Sequence, residues 1–134
     1  MHRNQNITIM NIDIRFNETG KIIAAYNGKD ITMDESPYMI YLATAGMCSA
    51  VYVRAFFTQR DMSLENVKLT QIISYNRATN MVENMEIKVD LPDTFPTKYN
   101  KAIKAVVDQC PVKKHMVTPP AVSVTTNLDV AVQA

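Results

Sequence analysis

The chain has 134 residues, of which 47% are hydrophobic and only three are glycine, and its formal net charge is +1. This length and composition fit a single domain over residues 1–134 and exclude collagen-like, low-complexity and disordered chains. The 14 basic and 13 acidic side chains nearly balance, so the charge argues against nucleic acid and against an anionic membrane surface as partners.

The first ten residues, MHRNQNITIM, contain no apolar run of the length that a signal peptide needs. Two cysteines are too few for a secreted disulfide framework. We therefore expect a cytoplasmic protein. The stretch from Pro37 to Val53 carries no charged side chain, but it is marginal in length for a bilayer span, and we interpret it as a buried helix.

Three strands are predicted in the first part of the chain. Residues alternate between apolar and polar from Ile7 to Phe16, which is the period of a β-strand. Lys21–Tyr26 predicts a second strand, and Asn27-Gly28 is a strong signal for a hairpin turn. A short third strand is expected over Asp30–Met33.

A long helix is predicted next. Ser36 has a side-chain oxygen suited to an N-cap, and Pro37 suits the first helical position, so the helix should run from Pro37 to about Gln59. Apolar or small residues face every direction over its first four turns. Such a helix should be surrounded by protein rather than laid on a surface, and a chain of this size often completes its core with a second subunit.

Two strands, Val67–Tyr75 and Met81–Leu91, an amphipathic helix, Lys98–Gln109, and a closing strand, Ala121–Val132, are predicted in the second part. The strands fall into hairpins rather than alternating singly with helices. This order predicts an α+β fold with an antiparallel sheet.

Several classes of site are not supported by the sequence. The three glycines are scattered and cannot form a phosphate-binding loop. A serine hydrolase is not indicated, because no G-x-S-x-G elbow is present. Cys48, Cys110 and His115 do not have the closely spaced ligand pairs typical of zinc sites. We therefore expect neither a metal nor another cofactor.

The two cysteines are the remaining candidates for chemistry. Cys48 lies in the middle of the predicted helix among small residues, in the run AGMCSA, which fits either an inert core thiol or a site that another group can approach. Cys110 lies where one helix ends and Pro111 can start the next, so we expect it to be more accessible than a thiol in mid-helix.

Three features in a fixed order resemble the OsmC/Ohr family, the osmotically inducible and organic hydroperoxide resistance proteins. They are an uncharged helix that opens at Pro37 and carries Cys48 after small residues, a hairpin that begins LENVKL, and a helix that ends in V-V-x-x-C-P-V over Val106–Val112. The resemblance implies an intertwined homodimer in which antiparallel β-sheets wrap around long buried central helices. It also implies an active site at the subunit interface that contains both cysteines.

The resemblance assigns a role to each thiol. Cys48 would attack an organic hydroperoxide as the peroxidatic thiolate, and Cys110 would resolve the resulting sulfenic acid to a disulfide. An external dithiol would then reduce this disulfide. Apolar side chains near Cys48 would suit an alkyl hydroperoxide; the candidates are Met39, Leu42, Met47 and Phe56.

One family feature is missing. Members of the family typically carry a glutamate just after the helix-opening proline, where it holds an arginine against the reactive sulfur, but here Pro37 is followed by Tyr38. Because a mid-helix thiol needs a nearby cation to ionise near neutral pH, we predict that Arg15 stabilises the thiolate, with Lys21 and Lys29 as the next candidates. Asp34 or Glu35 would orient its guanidinium.

Two alternatives stay open at this point. The chain could be an OsmC-like protein with weak or no peroxidase activity that binds a small apolar ligand or senses redox state; the missing glutamate favours this reading and the two cysteines argue against it. A hot-dog thioesterase also has a long helix wrapped by a sheet, but it would need a carboxylate on or near the central helix, and the stretch from Pro37 to Val53 has none.

Overall fold

The computed structural model describes residues 5–129, and within them five strands form one antiparallel sheet. The strands occur in the spatial order β3-β2-β1-β4-β5, so β1 and β4 form the centre. Their bounds are Ile7–Phe16 (β1), Ile22–Tyr26 (β2), Lys29–Asp30 (β3), Lys68–Asn76 (β4) and Met81–Asp90 (β5). The predicted α+β class with an antiparallel sheet is confirmed.

Three α-helices accompany the sheet in the described part of the chain: α1 (Pro37–Gln59), α2 (Asn100–Val107) and α3 (Pro111–Val117). A short 3-10 turn, Thr97–Tyr99, leads into α2. The sequence predicts both ends of α1 correctly. The predicted second helix, Lys98–Gln109, is longer than α2. In the structure its first residues belong to the 3-10 turn, and α2 ends at Val107, shortly before α3 begins.

Local chemistry explains the best-predicted boundaries. Asn27 and Gly28 have φ angles of 51° and 78°, and positive φ at both central positions is the mark of a tight hairpin turn. At the start of α1 the Ser36 side chain accepts a hydrogen bond from the Met39 N–H at 3.2 Å, and Pro37 occupies the first turn. These residues fix the β2–β3 turn and the beginning of α1 before any tertiary packing is considered.

The core lies between α1 and one face of the sheet. On β1, Ile12 and Ile14 are fully buried beneath the helix, whereas the alternate residues Asp13 and Arg15 are exposed on the opposite face. Four aromatic rings pack together at the end of α1 and join it to the segment before α2; they are Phe56, Phe57, Phe95 and Tyr99. This packing brings α2 and α3 alongside α1.

Two predicted strands differ from the structure. The third strand is only Lys29–Asp30. The closing strand is not formed over residues 121–129: Val122, Val124 and Leu128 are 84%, 90% and 82% exposed, and residues 130–132 of the prediction lie outside the described residues. A strand requires a neighbouring backbone to bond with, and within residues 5–129 this segment does not pair with the sheet.

One side of α1 is uncovered within the chain. Tyr38, Tyr41 and Val51 are 47%, 51% and 42% exposed, so the helix is laid on the sheet rather than surrounded. By length and composition alone α1 could cross a membrane, with a mean hydropathy of 1.4 over its most apolar window, but half of that window is buried inside the protein. The core helix of a folded domain has the same profile.

Candidate active site

Two elements bring the cysteines together. Cys48 lies in the middle of α1, and Cys110 is the residue that caps the start of α3. The chain leaves α2 through a tight turn in which the Cys110 N–H donates to the Val107 carbonyl oxygen at 3.1 Å. Pro111 then starts α3, which packs against α1. The turn therefore places Cys110 on the side of α1 that carries Cys48.

The two thiols form a hydrogen bond with each other. This interaction raises the pKa of Cys48, so it stabilises the protonated form of that thiol. Burial makes the largest contribution to the raised pKa of Cys48, and charge repulsion from Cys110 adds to it. The sulfurs are neighbours although their residues are far apart along the chain.

A backbone donor acts in the opposite direction. The Val112 N–H donates a hydrogen bond to the Cys48 sulfur and lowers the pKa of this thiol, although burial and Cys110 outweigh it. Pro111 has no N–H, so Val112 offers the first free donor of α3. Sequence analysis missed this group. The signal was present in the Cys-Pro-Val run, because a proline at the first helical position leaves the next N–H free.

The accessibility of the two thiols is the reverse of the expectation. Cys110 is fully buried, whereas Cys48 is partly exposed. The prediction that Cys110 is the more accessible thiol is therefore wrong. Its junction position is covered because α3 folds back onto α1, and this packing is not encoded in the local sequence.

The structure does not bring Arg15 to the thiol pair within one chain. Its guanidinium pairs with Asp30 at 3.2 Å, and both side chains are about half exposed, 50% and 51%. Arg15 points away from the face of β1 that packs on α1. Glu35 pairs instead with Lys29, at 3.9 Å, so neither it nor Asp34 is the partner of Arg15. The role of Arg15 as thiolate-stabilising cation stays a prediction, and it would require a second copy of the chain.

A cleft of about 1160 Å³ lies between α1, β5 and the α2–α3 region. Leu42, Ala45 and Ser49 line it from α1, and Met85 and Ile87 line it from β5. Neither Cys48 nor Cys110 is among the residues that line this cleft.

Of the four apolar residues expected around an alkyl group, only Leu42 lines the cleft. Phe56 belongs to the buried aromatic cluster, and Met39 and Met47 pack against the core. Because neither cysteine lines this cleft, the alkyl-binding role of these four residues around Cys48 stays a prediction.

Within residues 5–129 the structure has no group of three or more histidine, cysteine, aspartate or glutamate side chains that could hold a metal ion. His115 forms a local contact of 2.6 Å between its Nδ1 and the Pro111 carbonyl oxygen. The chemistry that the described arrangement can support is that of two adjacent thiols, which can be oxidised to a disulfide and reduced again.

Comparison with known proteins agrees with this architecture. The sequence model of a family described as OsmC-like protein matches residues 30–125. A similar solved structure is that of an OsmC-like hydroperoxide resistance protein from Jannaschia sp. CCS1, with a TM-score of 0.64 and 11% sequence identity over 88% of this chain and 91% of that one. At this identity the likeness is one of fold. None of the curated proteins matches the chain significantly in sequence.

Proposed function

The chain belongs to the OsmC-like family, and on that premise we propose that it is a thiol-dependent peroxidase that reduces organic hydroperoxides with Cys48 and Cys110. The observation that carries the proposal is the proximity of the two thiols, which are close enough for Cys110 to raise the pKa of Cys48. The description of the similar Jannaschia protein as a hydroperoxide resistance protein agrees with it.

The reaction proceeds in three steps: oxidation of Cys48, formation of the disulfide and reduction of the disulfide. The Cys48 thiolate attacks the terminal, hydroxyl oxygen of the hydroperoxide, the O–O bond breaks, and the leaving alkoxide takes up a proton to become an alcohol while Cys48 becomes a sulfenic acid. The Cys110 thiol then displaces water from this sulfenic acid, which forms the Cys48–Cys110 disulfide. An external dithiol reduces the disulfide by exchange and is itself oxidised.

Accessibility and contacts support this division of roles. Cys48 is the thiol that solvent reaches, whereas Cys110 is fully buried, so an oxidant meets Cys48 first. Cys110 is already in contact with it. The Val112 N–H adds a donor that favours the Cys48 thiolate.

We further propose that the active form is a homodimer. The uncovered side of α1 carries Tyr38 and Tyr41, and the wide cleft continues from it to β5, whose outer edge pairs with no strand among residues 5–129. The segment Ala121–Leu128 buries none of its large apolar side chains in its own chain. A second copy would cover these surfaces, and apolar surface of this extent usually marks an interface.

The experiment is to add cumene hydroperoxide to the reduced protein and to measure free thiols and cumyl alcohol. We expect both thiols to disappear for each hydroperoxide consumed. Cys48→Ser should abolish consumption, and Cys110→Ser should consume hydroperoxide and accumulate a sulfenic acid that dimedone traps. Consumption that survives Cys48→Ser would contradict the proposal.

A second candidate function is favoured by the raised pKa of Cys48. A thiol that is mostly protonated at neutral pH reacts slowly, which fits an OsmC-like protein that binds a small apolar ligand or senses redox state rather than turning over peroxide. Hydrogen peroxide and cumene hydroperoxide distinguish the two functions. Rapid thiol loss with the organic oxidant supports the peroxidase, and no loss with either oxidant supports the binding protein.

A further inference from the structure

A buried glutamine connects the sheet to the helix that carries Cys48. Gln71 lies in β4 and is fully buried. Its Nε2 donates to the Leu42 carbonyl oxygen at 2.6 Å and to the Met85 sulfur at 3.2 Å, and its Oε1 accepts from the Gly46 N–H at 3.1 Å. Three hydrogen bonds satisfy an amide that would otherwise be costly to bury.

The two groups of α1 that bond Gln71 belong to the same helical turn. Leu42 and Gly46 are four residues apart, so the carbonyl of the first and the N–H of the second are partners in a regular α-helix. Here one side-chain amide bonds both of them. The sheet is therefore tied directly to the helix backbone at this turn, which ends two residues before Cys48.

Gly46 provides the space for this bridge. A Cβ atom at this position would lie 2.1 Å from Ile14 Cδ1 and 2.7 Å from Gln71 Oε1, so α1 approaches the sheet closely at this turn. Cys48 follows two residues later, which is about 200° farther around the helix axis. With Gly46 held against the sheet, Cys48 is turned to the other side of α1, where α3 lies.

We propose that Gln71 is a positioning residue for the Cys48 thiol. By bonding both backbone groups of the Leu42–Gly46 turn it fixes the rotation and the height of α1 on the sheet, and thus the separation and angle of the Cys48 and Cys110 sulfurs. The importance of this positioning for catalysis rests on the proposed function, in which Cys48 is the peroxidatic thiol. The positioning itself is measurable without peroxide.

Two substitutions test the bridge. Gln71→Met keeps the approximate length and burial but removes the donor and the acceptor for α1. Gln71→Glu keeps the shape: its protonated carboxyl can still donate to the Leu42 carbonyl and accept from Gly46, whereas the ionised form cannot donate. The matched control is Leu69→Ala, which removes packing from a buried residue of the same strand and face but takes no hydrogen bond from α1.

The readout is the rate at which diamide forms the Cys48–Cys110 disulfide in each folded variant. At each pH this rate is divided by the rate of the unaltered protein to give a ratio. We expect Gln71→Met to slow the reaction on the order of tenfold or more, as misplaced reacting groups do. The Gln71→Glu ratio should be near one at low pH and fall as pH rises through the raised pKa of the introduced buried carboxyl. Leu69→Ala should stay near one.

Three results would overturn the proposal: an unchanged rate in Gln71→Met, an equal loss in Leu69→Ala, or a Gln71→Glu ratio that does not vary with pH. If Gln71→Met does not fold, the pH dependence of Gln71→Glu decides alone. If the diamide results are as expected but the unaltered protein consumes no cumene hydroperoxide, the proposed peroxidase function fails and the positioning of the thiol pair stands.

Discussion

At the residue scale, Cys48 is subject to opposing effects. Burial and the neighbouring Cys110 thiol raise its pKa, and the Val112 N–H lowers it. The net shift is upward, so the thiolate fraction at neutral pH is smaller than that of an ordinary free thiol. Reactions of Cys48 should therefore accelerate as the pH rises into the alkaline range.

Removal of Cys110 should make the Cys48 thiol more acidic. Cys110→Ala deletes both the hydrogen bond that stabilises the protonated form and the charge repulsion, so the pKa of Cys48 should fall. The measurement is the rate of iodoacetamide alkylation against pH, whose midpoint should move to lower pH. Cys48→Ser is the control and should react slowly at every pH, because Cys110 is buried. An upward or absent shift in Cys110→Ala would contradict this description of the pair.

The sequence identifies the thiol pair but not its surroundings. Cys48 and Cys110 are recognisable from the residues next to them, among which the Cys-Pro-Val run is the most specific. The burial of Cys110 and the pairing of Arg15 with Asp30 depend on how distant segments pack. Gln71 was visible as a polar residue at a buried position of an apolar strand, but its partners on α1 could not be read from that pattern.

At the element scale, the contact of α1 with the sheet depends on the missing side chain of Gly46. Alanine is the better helix former by about 1 kcal/mol, so Gly46→Ala would stabilise an isolated helix. In the folded protein the added methyl group meets Ile14 Cδ1 and the Gln71 amide oxygen. Steric crowding should dominate, because Gln71 is held in place by three hydrogen bonds.

Gly46→Ala should lower the free energy of unfolding by about 1–3 kcal/mol, the usual cost of overpacking a core. The measurement is urea denaturation of the reduced protein. Ile14→Val removes the Cδ1 atom that an added Cβ would approach to 2.1 Å, so the double variant should lose less stability than the sum of the two single losses, by about 0.5 kcal/mol or more. Strict additivity would show that Ile14 does not limit the approach of α1.

Element boundaries follow from the sequence where a local signal exists. Ser36 and Pro37 start α1, and Asn27-Gly28 make the β2–β3 turn. The predicted closing strand from Ala121 has alternating apolar residues but lacks a partner backbone within residues 5–129. The alternation of apolar and polar residues predicts which residues can form a strand, but it does not identify the backbone with which that strand pairs.

At the scale of the whole molecule, one chain leaves substantial apolar surface uncovered. Tyr41 on α1 and the valines of the segment Ala121–Leu128 are exposed, and the cleft between α1 and β5 is open. The sequence indicates a helix that should be surrounded on all sides, whereas the chain leaves the side with Tyr38, Tyr41 and Val51 uncovered. We explain the difference by the proposed homodimer.

Truncation after Thr118 should weaken dimerisation without unfolding the chain, because the removed described residues make no strand pairing with their own sheet. Sedimentation equilibrium of the full chain should give a dimer, and the truncated chain should have a Kd larger by at least about tenfold, which corresponds to ~1.4 kcal/mol. Val122→Ala with Val124→Ala is the milder control and should shift the Kd in the same direction. A full chain that remains monomeric at high protein concentration would contradict the proposed assembly.

The most direct measurement of the central claim is peptide mapping by mass spectrometry after one equivalent of cumene hydroperoxide is added to the fully reduced protein. We expect a single new cross-link, an intrachain disulfide between Cys48 and Cys110, that dithiothreitol removes. Sulfinic acid at Cys48 beside an unmodified Cys110 thiol, or a chain in which neither cysteine has changed, would contradict it.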